Sequence, residues 1–260
     1  MSPALRLLRL PDDPARSGSI ALRDAGVSAR AHPYAGVPGM ALVVVPDGST
    51  VPAPQHFHMW ATALARRGFT SLRTGALSPR QAEQAERAGL RCVQELALLE
   101  LRDPHPSAAV AHRTHRLRPR HLGAAATIDR LAFGSEWWLD GPMLADVGRA
   151  TPIHRSRIIR NARDTGATTG VEGQVGAFLV SGRAGRTGYI QRLAVHPELQ
   201  RQGLASDVMN DALEWMHRAR LQRSFVKTHV DNDAALRLYR GLGFVELPER
   251  LRVFEGPIPL

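Results

Sequence analysis

Apolar positions along the chain change period at a few sharp points, and those points mark out its elements. Gly188 to Val195 sets Tyr189, Ile190, Leu193 and Val195 among few turn formers, which predicts a strand. His196-Pro197 stops it, because proline cannot continue a ladder. Beyond Gly203, Leu204, Val208, Ala212 and Met216 recur at helical spacing. Ser224 to Val230, with Phe225, Val226, Thr228 and Val230, predicts another strand. After it Ala235, Leu238, Tyr239 and Leu242 share a helical face. Asp231 or Asn232 is placed to cap that helix and Gly243 to end it.

The earlier chain is patterned less clearly. Residues 1–38 are rich in Ala, Arg, Gly and Pro and predict a ragged lead-in with one strand or short helix. Gly39 to Val45 is a short apolar run, read as a buried strand ended by Pro46-Asp47-Gly48. His58 to Arg67 predicts a helix, Phe69 to Thr74 a strand, Ser78 to Ala88 a helix closed by Gly89, and Cys92 to Leu101 a strand. Asp103 to Thr114 is proline-rich and polar, as a linker would be. Leu117 is expected to begin a strand, and Pro119-Arg120-His121-Leu122 a helix running to Phe133. Met143 to Ala150 and Pro152 to Arg163 read as helical, the second with a solvated basic face. Thr168 to Glu172 and Val175 to Ser181 read as a hairpin around Gly173, Gly182 to Gly188 as a turn, and Arg252 to Glu255 as a last strand.

The junction Gln200-Arg201-Gln202-Gly203-Leu204-Ala205 carries the candidate chemistry. A strand feeds a helix N-terminus there, so amides from about Arg201 to Ser206 lack helical acceptors and the helix dipole favours an anion. Gly203 lets a phosphate approach without a Cβ in its way. Arg201 adds a positive charge. Asn232 and Tyr239 are seven residues apart, about two turns, so they lie on one side of their helix.

These two segments, in this order, resemble the acyl-CoA-binding motifs of the GNAT superfamily of N-acetyltransferases. Q-x-x-G-x-A resembles the family's R/Q-x-x-G-x-G/A, and Asn232…Tyr239-x-x-x-Gly243-Phe244 its second helix. The resemblance covers roughly residues 114 to 260 and implies an α/β domain, a central mixed sheet flanked by helices. It implies acetyl-CoA as co-substrate and an amine acceptor that attacks the thioester directly. Leu193, Ala194 and Val195 would run along the pantetheine arm, with Leu193 polarising the carbonyl. Gln200, Arg201, Gln202, Gly203, Leu204, Ala205 and Ser206 would hold the diphosphate, Asn232 would sit at the cofactor, and Tyr239 would protonate the departing thiolate. Trp137 and Trp138, after the first helix of that domain, would line the acceptor pocket or plug a core. Tyr189 and Gln191 are expected on one side of their strand, facing water or acceptor. Relatives that place a Glu on this strand would have it at Tyr189. Relatives acting on ribosomal-protein N-termini have a Glu at Lys227, so that substrate is placed in doubt. Glu172 is the first candidate to relay a proton, and His229 the second.

Residues 39–102 repeat the later half with a shift of 154: Gly89-Leu90 falls on Gly243-Phe244, Thr74 on Thr228 and Leu72 on Val226. Ser78 then falls on Asn232 and Ala85 on Tyr239, so the proton donor is missing, and no Q-x-x-G-x-A precedes His58. The expectation is a tandem chain, with 1–110 a degenerate copy and 114–260 the catalytic domain.

Composition narrows the partners. The formal charge is +10, from 34 Lys+Arg against 24 Asp+Glu, while aromatics make up only 5%. A polyphosphate cofactor suits that balance; the absence of aromatics among the basic residues argues against nucleic acid. Cys92 is the one cysteine, which excludes an intrachain disulfide and fits a reducing cytoplasm. No apolar run approaches the roughly 20 residues of a membrane helix. His56-x-His58 and His112-x-x-His115 lack a matching ligand set, so no metal is expected. Monomer and homodimer both stay open. So do two rival functions: a non-catalytic acyl-CoA-binding or regulatory module, and a basic nucleic-acid-binding protein.

Overall fold

The computed structural model describes residues 20–24, 26–34, 37–46, 50–134, 137–160 and 175–259. The chain divides into two compact units, residues 1–97 with 248–260, and residues 98–247. The segment 103–114 lies inside the second.

In the first unit the lead-in contains two strands, β1 (Ile20–Asp24) and β2 (Val27–Pro33), paired antiparallel around Gly26. Their alternation buries Ile20, Leu22, Val27, Ala29 and Ala31. β3 (Met40–Val44) follows, then α1 (Pro54–Ala65), β4 (Ser71–Thr74), α2 (Pro79–Arg87) and β5 (Arg91–Arg102). α1 starts four residues before the expected His58, because Pro54 is well suited to the first turn of a helix. β3 and β4 are parallel and joined by α1. The last strand, β11 (Val245–Pro257), enters this unit from residue 248 and pairs antiparallel with β4 through Glu255–Arg73, Gly256–Leu72 and Pro257–Ser71. Phe57, Trp60, Leu64, Leu72, Leu77 and Phe254 pack the core.

The second unit contains β6 (Thr114–Arg116), α3 (Leu122–Phe133), α4 (Gly141–Arg149), β7 (Ile153–Arg160), β8 (Val175–Ala184), β9 (Thr187–Val195), α5 (Leu204–Arg218), β10 (Arg223–His229) and α6 (Asp233–Gly241). Residues 98–102 of β5 fall in this unit, and from them its strand order is β5–β10–β9–β8–β7–β6. The sheet is mixed: β9 and β10 are parallel, and the β6–β7, β7–β8 and β8–β9 pairs are antiparallel. Thus β9–α5–β10–α6 repeats the β3–α1–β4–α2 order of the first unit. Gly89 and Gly243 end the matching helices in the left-handed region, at φ 81° and 87°.

Two expectations are corrected here. The helix expected from Pro152 is not formed over the described part of that span: Ile153–Arg160 is the strand β7, and residues 161–163 lie outside the described residues. Arg155 and Arg157, alternate residues on one face, reach Asp211 of α5, with Arg155 Nη2 2.5 Å from its carboxylate. Arg157 also donates to Thr114. Both cations thus share one carboxylate across the sheet face rather than being merely solvated. Leu117 does not begin a strand, because β6 ends at Arg116. The hairpin expected around Gly173 has its first arm outside the described residues.

α5 lies on the face of Arg155, whose register partner is Ser181. α3 and α4 cover the other face, where Ala125, Ile128 and Leu144 pack on Phe178 and Val180. The segment before β6 is bound to α5: Ser107 donates to Asn210, and the amides of Ala111 and His112 donate to Asp207.

Candidate active site

The site begins with a register error in β9. Val180 pairs with Arg192 and Ser181 with Ile190, so Gln191 is the extra residue of a β-bulge. Before it, Gly188 points at α5: a Cβ there would lie 2.7 Å from Met216 Sδ. After it, Ala194 belongs to the α3–α4 core. Without the bulge both even-numbered residues would face the same side. The common face expected for Tyr189 and Gln191 assumed unbroken alternation, which the bulge interrupts.

The bulge also ends the pairing between two parallel strands. β9 and β10 pair from Thr187–Arg223 to Ile190–Val226 and no further. Beyond that point Leu193, Ala194 and Val195 hold their register with β8 alone. The parting of β9 from β10 leaves a wedge between two strand edges, with ladder groups facing into it. Gln191 Oε1 is buried and has no hydrogen-bond partner among the described residues.

β9 leads directly into the helix N-terminus. A 3-10 turn over Pro197–Leu199 follows, then Gln200 in extended backbone, Arg201 at φ 60° and Gly203 at φ 85°. Gly203 caps α5. Among the described residues, none accepts a hydrogen bond from the amides of Arg201, Gln202, Gly203, Leu204, Ala205 or Ser206. A Cβ at Gly203 would meet nothing within 4 Å, so the mouth is open there. Asp207, the acid of the first turn, is buried and turned toward the amides of Ala111 and His112. The residues therefore fit a diphosphate: a row of unused donors, the positive end of a helix of 15 residues, and the exposed Arg201.

Tyr239 is buried on α6, with its ring 5.9 Å from that of Phe244. Burial pushes its phenol well above the usual tyrosine range, and the nearby Arg192 cation pulls it partly back. No described residue forms a hydrogen bond with the hydroxyl. Asn232 caps α6, accepting from the Ala235 amide at 3.1 Å, so its carbonyl oxygen already has a structural task. His229 Nδ1 accepts from the Asp231 amide. The same nitrogen lies 3.6 Å from Asp231 Oδ2. Glu172 lies outside the described residues.

Trp137 and Trp138 are half-buried beyond α3, and Tyr189 stacks loosely on Phe225 with centroids 6.3 Å apart. What joins this side to β9 was not anticipated. Arg192 donates through Nε and Nη2 to the two oxygens of Asp129, both at 2.7 Å, and through Nη2 to the Trp137 carbonyl at 2.6 Å. Its guanidinium also lies 3.5 Å from the centre of the Phe133 ring. The available signals were an arginine inside an apolar strand and an aspartate amid the apolar positions of α3.

Comparisons with known proteins bear on the same stretch of chain. Residues 136–244 match the model of the acetyltransferase (GNAT) family. A stretch of 67 residues is 34% identical to N-alpha-acetyltransferase 30 of Saccharomyces cerevisiae and, equally, to that of Schizosaccharomyces pombe. That stretch is 26% of this chain and 38% and 45% of those two, so the chain spans less than half the length of these relatives. Among solved structures, a tandem GNAT protein from the clavulanic acid biosynthesis pathway superposes with a TM-score of 0.61. It is 14% identical, and the match covers 95% of this chain and 85% of that one, which is a likeness of fold. With its bulged strand, open helix N-terminus and second helix, the stretch from residue 136 to residue 244 is an acetyltransferase domain of the GNAT family.

Proposed function

We propose that the chain moves an acetyl group from acetyl-CoA to an amine by direct attack. The observation that carries this reading is the parting of β9 and β10 beside an unobstructed helix N-terminus. The amides from Arg201 to Ser206 and the Arg201 cation hold the diphosphate. The edge of β9 at Leu193, Ala194 and Val195 takes the pantetheine amides, and the Leu193 N–H polarises the thioester carbonyl. The amine nitrogen forms its bond to the carbonyl carbon as the C–S bond breaks. Tyr239 gives its proton to the sulfur, and burial suits it to that task by keeping the phenol protonated at working pH. Holding two reactants in one wedge is the larger part of the rate enhancement. The proton lost by the acceptor is assigned to Glu172, directly or through water. Trp137, Trp138, Tyr189 and Gln191 are assigned to the acceptor side.

The named relatives favour a peptide N-terminus as one acceptor class; Lys227, where the resemblance calls for an acid in such enzymes, weighs against it. The test is release of free CoA thiol across small amines, amino acids and peptides with free N-termini. Acceptor-dependent release supports the proposal. Tight CoA binding with no release for any acceptor would replace it with a non-catalytic carrier-binding module. DNA binding that falls steeply with salt, and with which CoA does not compete, would replace it with the nucleic-acid reading.

A further inference from the structure

We infer that the buried Arg192–Asp129 pair is a positioning device that sets the acceptor side of the site from the strand that holds the acyl carrier. The inference rests on the proposed transferase reading. Arg192 follows the bulge residue Gln191 and precedes Leu193, whose amide is assigned to the thioester carbonyl. Asp129, on α3, has no exposed surface at all. Its Oδ1 accepts from Arg192 Nη2 and from the Leu139 amide at 2.6 Å, and its Oδ2 accepts from Arg192 Nε. Arg192 Nη2 also reaches the carbonyl of Trp137. One ion pair therefore ties three segments together: β9 beyond its bulge, the middle of α3, and the loop of Trp137 and Trp138. Phe133 closes over the guanidinium.

A packing role alone would be met by an apolar pair, since replacing a buried ion pair with hydrophobic groups often leaves stability unchanged. The planar fork of arginine adds fixed geometry: it engages two carboxylate oxygens and a carbonyl from two nitrogens held in one plane, whereas an ammonium donates from a single nitrogen on a flexible stem. Leu139, Trp137 and Arg192 can then move only together. A shift of this loop would displace the acceptor relative to the thioester, and small misplacements of that kind cost large factors in rate. The carrier's own contacts, at Arg201 to Ser206 and at the β9 edge, do not involve Asp129 or the loop.

The experiment compares wild type with Arg192→Lys and Asp129→Asn, using hydrogen exchange at the Leu139 amide, CoA affinity by calorimetry, and steady-state kinetics with the best acceptor. Both variants should exchange Leu139 at least about tenfold faster. CoA affinity should stay within about twofold, and acceptor KM should rise by about tenfold with a fall in kcat. Arg192→Met, which keeps the stem but not the fork, should be no better than Arg192→Lys in acceptor KM. Parallel losses in CoA affinity and acceptor KM would reduce the pair to general support of the fold. Unchanged Leu139 exchange would overturn the lock itself. Should the wild type release no thiol with any acceptor, the transferase reading fails by itself, while Leu139 exchange and CoA affinity still decide whether the pair ties the loop to β9.

Discussion

Ile190 and Val226 form the last backbone pair between β9 and β10, and the residue after Ile190 is the one that has no counterpart on β8. The two events are linked physically. An inserted residue bends its strand and increases the local twist. A parallel neighbour cannot follow that bend, so the ladder stops where the bulge begins. The wedge is thus a product of one extra residue, Gln191.

Gly203→Glu should abolish CoA binding measured by calorimetry. Gly203 sits at φ 85°, a region that is costly for any side chain by about 1–2 kcal/mol. Gly203→Ala isolates that cost, because a Cβ there meets nothing within 4 Å. The alanine variant should bind CoA within about tenfold of wild type, and the carboxylate should add repulsion at the anion's seat. Retained affinity in Gly203→Glu would remove the cradle from the account.

Tyr239→Phe should lower kcat by about 100-fold or more while leaving CoA affinity unchanged, in line with the usual share of general acid catalysis. Its hydroxyl has no hydrogen bond to a described residue, so thermal stability should change little. The folded phenol titrates above its unfolded value of about 10. Tyr239 should therefore add no alkaline fall in kcat below about pH 10. Above that pH the unfolded chain loses the proton first, so stability should drop as pH rises. An unchanged kcat in the variant would exclude the proton-donor role.

Acid should destabilise the second unit through His115 and His121. Burial and the neighbouring Arg160 hold both imidazoles below the ordinary histidine range, with Arg113 and Arg157 also acting on His115, and Arg118 and Arg120 on His121. The unfolded chain then takes up protons first as pH falls below about 6.5, so stability is lost in that direction. The denaturation midpoint should fall between pH 7 and pH 5, and less so in a His115→Gln, His121→Gln double variant. Equal losses in both proteins would assign the effect elsewhere.

Gly182→Ala should destabilise the protein by about 1–3 kcal/mol, the usual cost of overpacking. A Cβ on Gly182 would lie 1.8 Å from Thr151 Oγ1 and 2.8 Å from Thr151 Cβ. Thr151→Gly should recover part of the loss, giving a coupling above about 0.5 kcal/mol in a double-mutant cycle. Additive effects would mean that the backbone, not Thr151, absorbs the new atom.

The strand–turn–helix stretch of the second unit was legible in the sequence because its signals are local. A helical stripe at Leu204, Val208 and Ala212, a glycine at the bend and a capping Asn232 each act within one or two turns. What stayed hidden depends on distant partners. Arg155 and Arg157 of β7 looked solvated because Asp211, the acid they share, lies more than fifty residues later. The bulge at Gln191 is defined by pairing with β8, and periodicity along one strand cannot reveal it. Asp129 and Arg192 are 63 residues apart, and neither breaks its element's pattern enough to declare the other. The β1–β2 hairpin was missed because five- and seven-residue strands rich in alanine and arginine carry little β-propensity.

The return of residues 248–260 to the first unit has a consequence for assembly. Strand β4, complete by Thr74, meets its β11 partner only once the whole stretch between them has been synthesised. Phe254 and Ile258, which seal that unit's interior, likewise arrive late. Nascent residues 20–97 must therefore wait, unsealed, on the ribosome, and a polypeptide cut short after residue 247 would injure the half of the protein encoded first.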